Sequence, residues 1–452
     1  MTQVGEQVHV DSPVEEEDEK EDDQKEITLR ISLYFDGTGN NRLNTEARKA
    51  NSAEYREHGA KPDSSYQNEE SNISYLHRYI EKASGFDHSI GIYIEGIGTQ
   101  NLDSDTTRGY ALGKYAAGIT DKVNSGFVEA LSALQNEFIV YPKIKKLVLD
   151  VFGFSRGAAA ARYFIYKAMN NKRRGRTQPR HLARRLRFAG FAIEDSVVEV
   201  KFAGLFDTVA SYGLSHTNDT ETLQLDSIAK YKVEKTIQLA SADEHRSNFS
   251  LTNIESVGGA GKQIFLPGVH SDIGGGYTDT DGEDKHLYES YSKTDTEALR
   301  NDLILEGWYK PDEITIRETR EVLYSGAFSA PQTIFSYSLH GRRARVRNGY
   351  SAIPLQIMAD FARQSGVGLK AALEMDHVIP ADIASVGSTL KSYAQGSSSK
   401  DDWFMQSQPS WLPELRNKYL HYSAHLATVA VVIKPNKPNF EAGKRARVEH
   451  YG

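Results

Sequence analysis

The chain contains no cysteine. That excludes disulfides, thiolate metal sites and a cysteine nucleophile, and leaves the redox compartment undefined. It also lacks an apolar h-region near its start, so no Sec-type signal peptide is expected. No apolar run reaches the roughly 18–20 residues that span a bilayer. Excess positive charge is missing too: 54 Lys and Arg stand against 61 Asp and Glu, a formal net charge of -7. Nucleic-acid binding therefore has no general support, and none is expected. A membrane lipid, if one is the substrate, would be approached from the water side.

What remains is a mixed sequence of 452 residues, 39% hydrophobic and 25% charged, large enough for two domains or one elaborated one. Residues 1–26 carry an acidic run too charged to bury and are expected to form a disordered tail. From Ile27 onward, strand and helix patterns alternate. Strands are predicted over Ile27–Phe35, Ser89–Ile94, Ile144–Phe152, Val197–Phe206, Val233–Leu239 and Gln263–Leu266. Helices are predicted over Asn72–Ala83, Leu112–Phe138 and Arg156–Met169. This alternation predicts an α/β fold, a mostly parallel sheet flanked by helices in the manner of an α/β-hydrolase. Residues 27–280 form the expected catalytic core, 281–410 a cap or insertion with one apolar helix, and 411–452 a return to the core, with a strand over Thr428–Ile433 and a basic tail.

Gly153-Phe-Ser155-Arg-Gly157 fits G-x-S-x-G between a predicted strand and a small-residue helix. Accident alone would place that pattern in about one chain of this length in seven. Its position makes the difference. A serine lifted on a strained strand-to-helix turn needs small neighbours, which Gly153 and Gly157 supply, and the helix N-terminus favours negative charge there. Ser155 is thus the candidate nucleophile. His270, in a glycine-rich loop after a short strand, is the candidate base. Asp207, ending a strand between the two, is favoured over Asp272 as the acid, because the fold's chain order is Ser, Asp, His. Asp272 more plausibly pins the loop's backbone. The oxyanion hole is expected to use the N–H of Arg156 and a second donor from Asp36-Gly37-Thr38, with Gly37 and Asp36 as its candidates.

Several side signals are weaker. The basic stretch 171–187 could meet anionic headgroups, but a solvated surface is the better reading. The apolar helix around Ile353–Phe361 could accept acyl chains, though a core role suits it better. His421 and His425 lack the glutamate of a zinc-protease motif, and the glycine in Asp279-Thr-Asp-Gly is misplaced for a calcium loop. No metal and no cofactor are expected.

Taken together, six segments resemble the first class of Tle antibacterial phospholipases, lipase effectors of type VI secretion. They are Tyr34-Phe-Asp-Gly-Thr-Gly-Asn-Asn, Gly96-Ile-Gly-Thr, Phe152-Gly-Phe-Ser-Arg-Gly-Ala, Phe206-Asp-Thr-Val, Asp243-Glu-His-Arg-Ser-Asn-Phe and Pro267-Gly-Val-His-Ser-Asp-Ile-Gly-Gly-Gly-Tyr. Leu415-Arg-Asn-Lys-Tyr-Leu-His-Tyr-Ser is a weaker match. The resemblance implies a Ser155–Asp207–His270 triad and phospholipase A activity on membrane glycerophospholipids. It further implies cytoplasmic synthesis, export on a secretion spike or adaptor protein into a rival's periplasm, and a cognate immunity protein. Hydrolysis of a non-lipid ester or thioester, and a non-enzymatic binding scaffold, are the alternatives.

Overall fold

The computed structural model describes residues 25–452, apart from residues 60, 62–63, 107–117, 211–219, 280–281, 324–331, 404–406, 427–435 and 442, and parts of 171–180. The expected acidic tail, the strand at Thr428–Ile433 and much of the basic stretch therefore lie outside the described residues.

Six parallel strands make the central sheet: β1 (Glu26–Phe35), β2 (His88–Ile94), β3 (Lys143–Phe154), β4 (Val198–Phe206), β5 (Lys235–Ser241) and β6 (Gly261–Leu266). Their spatial order is β6-β5-β4-β3-β1-β2, and a two-residue strand at Ala192–Ile193 lies beside the start of β3. The chain moves outward from β1 to β2, then crosses back to add β3 on the other side. That reversal opens a crevice at the carboxyl ends of β1 and β3, where sheets of this kind bind ligands.

Burial on both faces explains the near-continuous apolar character of these strands. On one face Leu29, Ile31, Leu33 and Phe35 pack with Leu147, Leu149 and Val151 under α2 (Ile119–Glu137) and α3 (Arg156–Met169). Ala158 to Ala161 are all fully buried, so the absence of larger side chains lets α3 lie directly on the sheet. The other face carries Tyr34, Phe152, Phe202 and Ile237, covered by α1 (Asn72–Arg78) and by helices from much later in the chain.

Those later helices come from the region expected as a cap or insertion over the sheet, and they pack directly on this face. The α6 helix (Ala352–Gln364) buries ten of its residues, from Ala352 through Ala362, against β4, β5 and α1. It and α7 (Ala384–Gln395) share one apolar core with the sheet. The same region holds a three-stranded antiparallel sheet that the periodicity did not signal. It comprises β7 (Glu283–Ser290), β8 (Ile314–Leu323) and β9 (Gln332–Arg343), with α5 (Lys293–Leu305) beside it. The α8 helix (Leu412–Tyr419) and residues 436–441 and 443–452 then return to the carboxyl end of the main sheet.

Candidate active site

Ser155 sits between β3 and α3 with φ 60° and ψ -128°, a backbone conformation that an L-residue adopts only under constraint. The constraint is visible. Its N–H donates to Phe206 O at 2.9 Å, and its carbonyl accepts from Ala158 N at 3.0 Å. Tight packing fixes the turn from both sides. A Cβ on Gly153 would lie 2.5 Å from Ala158 Cα, and one on Gly157 would lie 2.3 Å from Asp36 O. Neither position has room for a side chain. The helix behind Ser155 runs for 14 residues, so its first N–H groups point at the space beside the hydroxyl.

Asp207 follows β4 as Ser155 follows β3. Phe154 pairs with Phe206, which sets the serine and the aspartate side by side one strand apart. Asp207 also has positive φ, 46°, and its N–H donates to Leu239 O at 2.8 Å. Its carboxylate is fully buried and accepts from His270 Nδ1 at 2.5 Å, Ser241 N at 2.9 Å and Ser241 Oγ at 3.0 Å. Arg447 completes the set in a forked pair, Nη1 to Oδ1 at 2.7 Å and Nη2 to Oδ2 at 2.9 Å. Burial by itself would push this carboxyl up; the Arg447 guanidinium and His270 outweigh it and hold it well below the usual range.

The expected glycine-rich loop is helical at His270. That residue opens the short α4 helix (His270–Gly274) and is buried between two aromatic rings, with centroids 4.7 Å from Phe154 and 5.0 Å from Phe249. The glycines after it serve packing: a Cβ on Gly274 would meet the Phe154 ring at 2.1 Å. Burial lowers the imidazole's affinity for a proton, and the Asp207 carboxylate only partly restores it. With Nδ1 engaged by Asp207, Nε2 is the nitrogen left to work. Among the described hydrogen bonds none joins Nε2 to Ser155 Oγ, a contact that often tightens only around substrate.

The remaining expectations divide. Asp272 does not touch His270 through its side chain. It accepts from Val269 N at 2.9 Å and from His421 at N (3.1 Å) and Nδ1 (2.8 Å), so it pins the loop and orients the second histidine. Asp36 is buried beside the elbow and accepts from Ser71 Oγ at 2.5 Å, Tyr93 OH at 2.6 Å and its neighbour Gly37 N at 2.7 Å. Burial pushes its carboxyl up to about 6, despite those three donors. The Gly37 N–H is thereby engaged within its own loop, by the Asp36 carboxylate. Among the described residues the next amide, that of Thr38, has no acceptor, and the Thr38 hydroxyl accepts from Arg156 Nε at 2.7 Å.

Sequence reasoning missed Arg447, Glu244 and Arg246. Glu244 is buried behind His270, accepting from its N–H at 3.3 Å and from Arg246 Nη2 at 2.8 Å. Burial opposes its charge, yet Arg246 draws its carboxyl down to about 2. The Asp243-Glu-His-Arg segment was a visible signal for the last two. Arg447, 240 positions from Asp207, had none. Among the described residues no group of three or more His, Asp or Glu side chains could hold a metal ion.

Comparison with known proteins follows the same lines. The family model described as T6SS, Phospholipase effector Tle1-like, catalytic domain matches residues 163–297, a span that includes Asp207, Glu244 and His270. The structure of the Tle1 effector bound to the VgrG spike from the type 6 secretion system shares the fold: TM-score 0.65 at 22% identity, covering 94% of each chain. A crystal structure of an uncharacterized protein from Pseudomonas aeruginosa overlays at TM-score 0.39 and 18% identity, over 83% of this chain and 52% of the other. No curated protein matches in sequence.

Proposed function

We propose that this chain is a serine-dependent phospholipase A and a type VI secretion toxin of the Tle1-like kind. The observation that carries the proposal is the 2.5 Å bond from His270 Nδ1 to the buried Asp207 carboxylate, which lies one strand from the strained Ser155 turn. The Tle1-like family match over 163–297 supports a phospholipid as the substrate class.

In this reading His270 Nε2 takes the proton from Ser155 Oγ as the oxygen attacks the acyl carbonyl carbon. Asp207 holds the imidazole's tautomer and offsets the charge it gains. The oxyanion is met by the N–H groups of Arg156 and, in place of Gly37, Thr38. His270 then hands its proton to the departing lysophospholipid oxygen, leaving an acyl-Ser155 ester. Water, deprotonated by His270, hydrolyses that ester and releases the fatty acid. No cofactor takes part. Export on a spike or adaptor, action in a rival's periplasm and a cognate immunity protein belong to the same proposal.

The test is mass spectrometry of products formed from vesicles of a phospholipid with two different acyl chains. A free fatty acid and its matching lysophospholipid are expected. Hydrolysis of short soluble esters without any vesicle hydrolysis would redirect the assignment to a non-lipid ester. Ser155→Ala should lower turnover by about 10⁶, the cost of losing the nucleophile in a comparable serine hydrolase. A folded Ser155→Ala protein with undiminished hydrolysis would defeat the mechanism.

A further inference from the structure

Residues 436–441 and 443–452 lie across the acid side of the site as a strap. Ser247 N donates to Lys437 O at 2.9 Å, and Asn439 N donates to His245 O at 2.7 Å. Further on, Glu449 and His450 pair in parallel with Leu251 and Thr252. Thr252 N in turn donates to Thr208 O at 2.9 Å, beside Asp207. The strap is thereby tied both to the segment after Ser241 and, through one layer, to the acid's own loop.

Arg447 is the side chain this arrangement delivers. Besides its forked pair with Asp207, it donates from Nε to Phe249 O at 2.8 Å and from Nη1 to Ser241 Oγ at 2.9 Å. Its side chain is only 6% exposed. A buried guanidinium is costly unless its donors are matched, and here a carboxylate matches two of them in fixed geometry. The carboxylate is equally constrained. With donors from His270, Ser241 and Arg447 on both oxygens, it cannot turn about its own axis without breaking several bonds.

We propose that Arg447 is a positioning residue of the catalytic centre: it clamps Asp207 in the plane that presents Oδ2 to His270 Nδ1, and the part of the strap over 443–452 is the element that sets it there. The proposal rests on the triad reading above. Arg447 also shares the Asp207 charge with the imidazolium that forms during turnover. The charged groups facing His270 are Asp207, Glu244 and Arg246, and Arg447 faces it through Asp207. Removing Arg447 takes away the other positive charge on the carboxylate and leaves only the neutral Ser241 donors beside the imidazole, so the imidazole holds its proton to higher pH.

The experiment compares kcat/KM against pH for wild type, Arg447→Ala and Arg447→Lys, with thermal melting to report folding. Arg447→Ala should lose about 10²-fold in kcat/KM at neutral pH, the scale of a misplaced catalytic group. Its acidic limb should move to higher pH. Millimolar guanidinium should restore part of the rate in Arg447→Ala and nothing in wild type. Arg447→Lys keeps the charge but not the fork, so its limb should stay near wild type while its rate stays low. A folded Arg447→Ala with the wild-type rate and limb would overturn the proposal. So would a rate that falls only in step with the unfolded fraction, without a moved limb or guanidinium rescue. If Arg447→Ala does not fold, Arg447→Lys decides: a full wild-type rate overturns the clamp. A wild type that hydrolyses no ester, or a Ser155→Ala protein that still does, would instead strike the triad reading itself.

Discussion

Two of the proposed catalytic residues, Ser155 and Asp207, occupy left-handed backbone conformations although neither is glycine. Such strain persists only where the surroundings over-determine it. Here each residue is held by its backbone bond to the neighbouring strand. Asp207→Asn would keep that backbone and the Ser241 contacts but favour the wrong tautomer of His270. Turnover should fall by about 10⁴, as in serine proteases with the same change, measured on soluble ester substrates. The pH dependence follows from burial. Since His270 must be neutral to act and its pKa lies below the ordinary value of about 6.5, activity should rise through a limb below that pH. A limb above pH 7 in kcat/KM would contradict the buried, depressed imidazole. These residues were legible in sequence because each falls just after a strand with small or aromatic neighbours. The state of the Gly37 amide was not, because it depends on how the Asp36 side chain turns back on its own loop.

At the scale of elements, the strand ends and the elbow helix were readable, since burial on both faces writes itself into apolar runs and α3 into its alanines. The strands β7 to β9 were not. They alternate half-exposed and charged positions, as in Arg317-Glu-Thr-Arg-Glu321, and their pairing partners lie within a region of little periodicity. The α6 helix shows why an apolar helix outside the expected core need not face lipid. Leu355, Ile357 and Met358 are buried under the sheet. Leu355→Ala should therefore lower unfolding free energy by about 2–5 kcal/mol in urea titrations. A helix that met membrane would instead lose vesicle affinity at unchanged stability. Gly274→Ala tests the wall behind His270: the added methyl must displace the Phe154 ring, a strain of about 1–3 kcal/mol. Activity should fall more than stability, because that ring also packs on the base.

Across the whole molecule, the chemistry is gathered from segments far apart in the chain, and the acid-side charges couple folding to pH. The carboxyls of Glu244 and Asp207 are both depressed by arginine partners, the first to about 2. A depressed carboxyl stabilises the fold above its unfolded pKa, about 4.3 for glutamate, and that contribution drains away as pH falls toward the folded value. The melting temperature should drop steeply between about pH 4.5 and 2, and Glu244→Gln should flatten that descent. Asp36 acts in the opposite sense. Its raised pKa favours the fold at low pH, and that contribution is lost as pH climbs to about 6.

One repeated detail reaches further. The residue just past each of four strands is latched to the next strand's carbonyl: Asp36 to Ile94, Ser155 to Phe206, Asp207 to Leu239 and Ala242 to Leu266. The sheet thus serves as a ruler. Nucleophile and acid are separated by one interstrand step, about 4.8 Å, whatever the loops beyond the latches contain. Insertions and exchanges past those latches can change which molecules are admitted while the reacting groups keep their spacing, so one reaction can be retained while its clientele drifts.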